Sequence, residues 1–363
     1  MLRWYVKERV VMNMEVMRKT FTLILFSLLL SVDVVWAQDP QFTQYYSSPI
    51  YLNPSFTGTT RQHRASINYR NHWASLPKAF VTYAFSYDYN IKKSPSSVGV
   101  IVMADRAGSA SLKSTSIGGV YSYRIPLTNG LQAVPSVQVG YVTQSIDYSK
   151  LVFADQLQFG IPDAPSTDPA LRNLQNTSHF DFATGLLVYD KRLWAGLAIH
   201  HLNQPNQSIL EEESKLPMRI SVHAGYKIPI NLGPFRNRMA SSINPSFQYR
   251  QQGKFNQLDM GLTYFYRMLM LGAWYKGLPI QRDMPKTINH DALAFAFGVS
   301  INGFSFGYSY DITVSKLGPV SSGGSHEISL ALQFSTKPRP GKVSRKDKQN
   351  PCPAFMPNYL WKP

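Results

Sequence analysis

The sequence predicts an all-β chain. It reads as a transmembrane antiparallel β-barrel of about 14 strands, with an N-terminal segment before it and a periplasmic C-terminal tail after it. Three observations carry the prediction. Apolar residues recur at every second position over long stretches, the mark of strands with one greasy face. The connections between those stretches alternate short and long, as in outer-membrane barrels. An export signal opens the chain, and a single cysteine, Cys352, leaves backbone pairing rather than disulfides to hold the fold.

Residues 1–37 read as a signal peptide. Arg18 and Lys19 precede an apolar run from Phe21 to Val32, and Val35-Trp36-Ala37 is a small-residue cleavage signature that makes Gln38 the mature start. The run is shorter than the roughly 18–20 residues a membrane helix needs. Residues 1–16 fit the leader poorly. Met12, Met14 and Met17 are alternative starts, and Met17 gives the most ordinary leader. The formal charge is +16; the leader holds five basic and three acidic residues, so the mature chain keeps 32 basic and 18 acidic, net +14. On an exported chain this charge points to acidic lipid or lipopolysaccharide and away from nucleic acid.

Residues 38–60 form an N-terminal segment, periplasmic or tucked into the lumen. Three prolines and the lack of a clean period argue against a membrane strand there. Residues 61–335 are the barrel. Strands are expected near 62–73, 79–90, 97–106, 113–125, 132–147, 178–190, 191–203, 217–230, 238–251, 255–266, 267–276, 290–301, 304–315 and 324–335. The rhythm is clearest near the end. Leu293, Phe295, Phe297, Val299 and Ile301 alternate with Ala294, Ala296, Gly298 and Ser300. Asn302-Gly303 is a preferred hairpin turn. Phe304, Phe306, Tyr308 and Tyr310 then alternate with Ser305, Gly307, Ser309 and Asp311. The apolar rows are expected to face lipid, and the small rows a roomy lumen. Pro135 and Pro245 are expected to interrupt the fifth and ninth strands. An even strand count puts both termini in the periplasm. Residues 336–363 are then a basic, proline-rich periplasmic tail, either solvated or docked on a partner or into the barrel mouth.

Catalytic and metal motifs are absent: there is no GxSxG elbow, phosphate-binding glycine loop, HExxH or CxxC pair. The chain therefore reads as no enzyme, with neither cofactor nor metal. His200 and His201 are adjacent, so on a strand they face opposite sides and cannot share a metal. Arg219, His223, Lys227, Asp311 and Glu327 are candidate polar residues of the lumen. Glu211-Glu212-Glu213, and the scattered Asp155, Asp163 and Asp168, read as solvated loop acids.

The mature start, QDPQFTQYYSSPIYLNPSFTG from Gln38 to Gly58, resembles the opening of the PorP/SprF family of outer-membrane proteins of the Bacteroidetes type IX secretion and gliding system. That opening combines "QDPQFTQ", an aromatic stretch and "LNPAxxG"; Leu52-Asn53-Pro54-Ser55-Phe56-Thr57-Gly58 carries Ser for the usual Ala. Phe153-Ala154-Asp155-Gln156-Leu157 resembles the family's "F-x-DQ" element, and Cys352-Pro353-Ala354-Phe355 its "CPxF" tail. The resemblance marks Gln38, Asp39, Pro40, Gln41, Phe42, Asn53, Pro54, Gly58, Asp155, Gln156, Cys352, Pro353 and Phe355 as binding or structural residues. It implies a barrel that supports secretion or surface attachment of a protein, often an adhesin, bearing a type IX C-terminal domain. The implied partners are that adhesin, periplasmic or peptidoglycan-linked secretion and gliding components, and outer-membrane lipid. Two other functions stay open from the residues: a channel or transporter for a small solute or hydrophobic ligand, and a structural tether to periplasmic machinery.

Overall fold

A computed structural model describes residues 39–355 except 61, 77–79, 109–110, 128–129, 148–150, 152–154, 157–175, 210–212, 231–240, 279–288, 316 and 336–351. The proposed leader, Gln38, Glu211, Glu212, Asp163, Asp168 and most of the basic tail therefore lie outside the described residues.

Sixteen paired segments form one antiparallel sheet, and two of them (Ile125–Pro126 and Ile228–Ile230) only prolong the strand before them, which leaves fourteen strands. These are β1 (His63–His72), β2 (Phe80–Asn90), β3 (Ser96–Ala107), β4 (Leu112–Tyr123), β5 (Gln132–Ser145), β6 (Thr177–Tyr189) and β7 (Leu193–His200). They continue as β8 (Arg219–Tyr226), β9 (Ser241–Gln252), β10 (Phe255–Tyr266), β11 (Leu269–Leu278), β12 (Asn289–Ile301), β13 (Phe304–Thr313) and β14 (Ser325–Phe334). Each strand pairs with its sequence neighbours. β14 pairs with β1 from His63–Phe334 to His72–Ser325, so the sheet closes and keeps no edge.

The faces follow the alternation. On β12, Phe295 is 52 % exposed and Ala294 only 1 %. Across β12 to β14, Leu293, Phe297, Phe304, Leu330 and Phe334 look outward, while Ser309, Asp311, Glu327 and Ser329 are buried inside. An apolar band without and a polar wall within is the division a lipid-embedded barrel requires. No helix among the described residues is long and apolar enough to cross a membrane.

The turn between β12 and β13 has positive φ at both central residues, 50° for Asn302 and 90° for Gly303. That is the geometry which matches strand twist and favours Asn-Gly.

Two expectations fail here. β5 and β9 run straight through their prolines, which hold ladder positions opposite Leu186 and Leu262. β7 stops at His200, because His201 turns into left-handed backbone at φ 57° and ends the alternation. His200 and His201 are consequently both buried and do not face opposite sides.

Candidate functional site

Residues 39–60 fill the lumen. Their prolines explain why they are not a strand. Pro49 opens a single helical turn, α1 (Pro49–Leu52), and Pro54 opens a 3-10 turn (Pro54–Phe56), both positions where the missing N–H has no ladder to serve. Asn53 caps the second turn, its side chain accepting the Ser55 N–H at 2.9 Å. The segment descends from the long-loop end of the barrel at Asp39 to the short-turn end at Thr60, touching the wall at three levels.

At the long-loop end, Asp39 Oδ2 lies 2.8 Å from Arg219 Nη1 and 2.7 Å from His201 Nε2. His201 Nδ1 lies 2.9 Å from Asp181 on β6, so the imidazole bridges the segment and the wall. Burial works against charge on His201, but the two carboxylates outweigh it and push its pKa up to about 9. Burial also disfavours the Asp39 carboxylate, and His201 and Arg219 nevertheless hold it well below the usual carboxylate range. Arg219 donates to Tyr51 at 2.7 Å, and Tyr51 in turn donates to the Pro40 carbonyl. Gln41 accepts from Arg250 at 2.9 Å, and Phe42 packs edge-on to Tyr51.

One level down is a buried charge cluster. Arg70 on β1 pairs with Glu327 at 3.0 Å and Asp311 at 2.8 Å, and Lys276 on β11 approaches Asp311 at 3.2 Å. Glu327 accepts the main-chain N–H of Thr43 at 2.7 Å and of Gln44 at 3.0 Å. The Thr43 hydroxyl donates to Asp311 and accepts from Arg70 and Lys276.

The lower level is tight, and its ion pair, Arg64 with Asp88, lies within the wall. Asn53 Nδ2 donates to the Leu197 carbonyl at 3.1 Å and lies 3.1 Å from His223 Nε2. His223 stacks on Phe56 at 5.4 Å. Asn53 and the turn that follows it need room from the wall. A Cβ on Gly185 would sit 2.1 Å from Asn53 Oδ1. Ser55 and Ser136 hydroxyls meet at 2.8 Å. Gly58, at φ 70°, donates its N–H to Asp88 at 2.9 Å, and Asp88 pairs with Arg64 at 2.7 Å. Cys352 donates its N–H to the Thr59 carbonyl at 3.1 Å, and burial pushes its thiol up to about 12. Pro353 is buried beside it, and the backbone of Phe355 completes a 3-10 turn.

The roomy lumen expected from the small residues is thus occupied. At Gly185 and Gly307 the missing side chain is clearance for Asn53 and Gln44 of the segment, while Gly298 makes way for Met270 of the wall. Of the residues chosen from sequence, the structure gathers Asp39, Pro40, Gln41, Phe42, Asn53, Pro54, Gly58, Arg219, His223, Asp311, Glu327, Cys352 and Pro353 inside the barrel. Lys227 is half-buried at the end of β8, its N–H bonded to the Arg192 carbonyl at 2.8 Å. Asp155 and Gln156 form a short turn in which the Gln156 N–H reaches Asp155 at 2.9 Å, in a loop whose neighbours lie outside the described residues.

Sequence reasoning missed Arg64, Arg70, Asp88, Arg250, Asp259 and Lys276. All stand at inward positions of strands, where a charge on a small-residue row was the available signal. It also missed Thr43, Gln44 and His201, which carry no such signal. Among the described residues no three His, Cys, Asp or Glu side chains are gathered as a metal-ligand set. What the site does chemically is hold a peptide segment by its main chain, its amides and one carboxylate.

A family model described as type IX secretion system membrane protein PorP/SprF matches residues 34–332. No curated protein matches the chain. Among solved structures, the toluene transporter TodX of P. putida is similar at 9 % identity and TM-score 0.42, over 78 % of this chain and 93 % of that one. The monoaromatic hydrocarbon channel CymD is similar at 12 % identity and TM-score 0.40, over 79 % and 93 %. BamA from Haemophilus ducreyi lacking POTRA domains 1–3 is similar at 9 % identity and TM-score 0.37, over 76 % and 71 %.

Proposed function

The chain belongs to the PorP/SprF family of type IX secretion system membrane proteins, and from that premise we propose that it supports secretion or surface anchoring of a particular adhesin through the adhesin's C-terminal domain. It is an outer-membrane barrel, and its family makes it a partner of secretion machinery. The observation that carries the finer reading is the filled lumen. A diffusion channel needs an open path, and a transporter of hydrophobic ligands needs an apolar inner wall. Here the wall presents Arg70, Asp88, Arg219, Lys276, Asp311 and Glu327, its apolar cluster of Val134, Leu187, Trp194 and Trp274 is already covered by Tyr45, Leu52 and Phe56, and a peptide occupies the space. Binding chemistry aimed at polypeptide suits a protein that serves another protein.

Deletion of the gene should leave a specific surface protein unsecreted or unattached, read by quantitative proteomics of shaved cells. An unchanged surface proteome contradicts the proposal.

A second reading, a tether to periplasmic or peptidoglycan-linked components, is favoured by one observation. The chain leaves β14 at Ser335, bonded to Gln62 at 2.7 Å, and is held again at Cys352 beside Thr59. In the sequence, the basic residues between Lys337 and Lys348 lie between these two held positions. Exchanging them for glutamine should abolish co-purification with periplasmic partners while the barrel stays folded. Undiminished co-purification rejects the tether.

A further inference from the structure

The wall of the lumen is almost neutral without the segment that fills it. Arg70 has Glu327 and Asp311, and Lys276 has Asp311. Arg64 has Asp88, Arg250 has Asp259 at 2.8 Å, and His201 has Asp181. Each of these partners belongs to the wall. Arg219 differs: the carboxylate at ion-pair distance is Asp39, from the resident segment. Withdrawing residues 39–60 would therefore take from Arg219 its ion-pair carboxylate, and from the buried Arg124 the Gly58 carbonyl it donates to, where buried charges are costly unless paired.

Two of the polar contacts to the segment do not depend on its side chains. Glu327 takes two consecutive main-chain N–H groups, which any dipeptide without proline offers. Phe42, Ile50 and Phe56 are buried, so whatever replaces the segment must bring apolar side chains as well.

We propose that the lumen is a peptide-binding site, and that residues 39–60 are its resident, displaceable occupant. The incoming ligand is an extended, amphipathic stretch of the secreted protein that offers a carboxylate to Arg219 and main-chain N–H groups to Glu327. Exchange of like for like keeps every buried charge paired, and the barrel itself need not change. This proposal rests on the reading that the protein serves a secreted polypeptide.

The test locks the occupant in place. Ser55 and Ser136 hydroxyls are 2.8 Å apart, close enough for a disulfide of about 2.05 Å after Ser55→Cys and Ser136→Cys. In a deletion strain, full-length protein with both cysteines oxidised should lose surface display of the dependent protein at least about tenfold. Mild reductant should restore it to the level of the reduced double variant, and the single variants, which cannot close the bond, should respond to neither oxidant nor reductant. Display equal to wild type from protein verified as oxidised overturns the proposal. If deletion of the whole gene leaves the surface proteome unchanged, the secretory reading fails instead, so the two failures are distinguishable. Binding is measured separately with a fluorescent synthetic peptide of residues 39–58 and purified full-length protein. Wild type and the reduced double variant should bind it, and the oxidised double variant should bind at least about tenfold more weakly. Absence of binding to wild type, or equal binding to the oxidised form, also overturns the proposal.

Discussion

The two halves of the resident segment are held by opposite chemistry. The upper half, Asp39 to Gln44, meets the wall through charge: Arg219, His201 and Glu327 grip a carboxylate and two N–H groups. The lower half, Asn53 to Thr60, meets it mainly through shape: Asn53 against Gly185, Ser55 against Ser136, Cys352 against Thr59. A charged grip responds to pH and to a competing carboxylate, whereas a steric fit responds to neither. A segment built this way is gripped by charge above and by close fit below, and the difference is open to perturbation one side at a time.

The largest effect is expected from the charged half. Glu327→Ala leaves Arg70 with only Asp311 and strands two buried N–H groups. Breaking a buried pair by removing one partner costs about 3–5 kcal/mol. The urea midpoint of the detergent-folded barrel, followed by heat-modifiable migration, should fall accordingly. Replacing Arg70 and Glu327 together by Met should recover part of the loss, because no unpaired charge then remains on either residue.

In the steric half, Gly185→Ala should cost about 1–3 kcal/mol by overpacking against Asn53. Adding Asn53→Ala should return some of that stability despite removing a cap, since residues in contact couple in double-mutant cycles. Simple additivity of the two changes would show that the close fit is not what holds this end.

The halves should separate again under pH. The raised pKa of His201, about 9 against an ordinary 6.5, means its charged grip is complete below pH 6.5 and is lost as pH rises through 9. Hydrogen exchange, corrected for its intrinsic pH dependence, should quicken over that window at residues 41–44 and stay level at 53–58. His201→Gln should flatten the response. Smallest of all is the exposed loop pair Glu213–Lys215, 2.8 Å apart with both side chains more than half exposed. Glu213→Ala should leave the urea midpoint where it is, because exposed pairs are screened by water.

Much of the fold was legible because it rests on local rules. Alternation placed all fourteen strands, and Asn302-Gly303 marked its own turn. The strand ends were less legible: His201 adopts left-handed backbone that no neighbouring residue requires. The wall half of the site could be read from charges on inward rows, as Arg219, His223, Asp311 and Glu327 show. The other half was marked only by its family motif and by prolines that argued against a strand, and its contacts could not be read. Thr43 and Glu327 are 284 residues apart, and only barrel closure brings them together. The same small rows that signalled a lumen gave no sign of being filled, since Ala and Gly are equally compatible with open space and with a close neighbour.

Planar-bilayer conductance of the purified wild-type protein puts the filled lumen to the test most directly. With residues 39–60 seated, the barrel should insert without a steady open-pore current. A large, stable, ohmic conductance from folded protein, of the size an empty fourteen-strand barrel would pass, would contradict it.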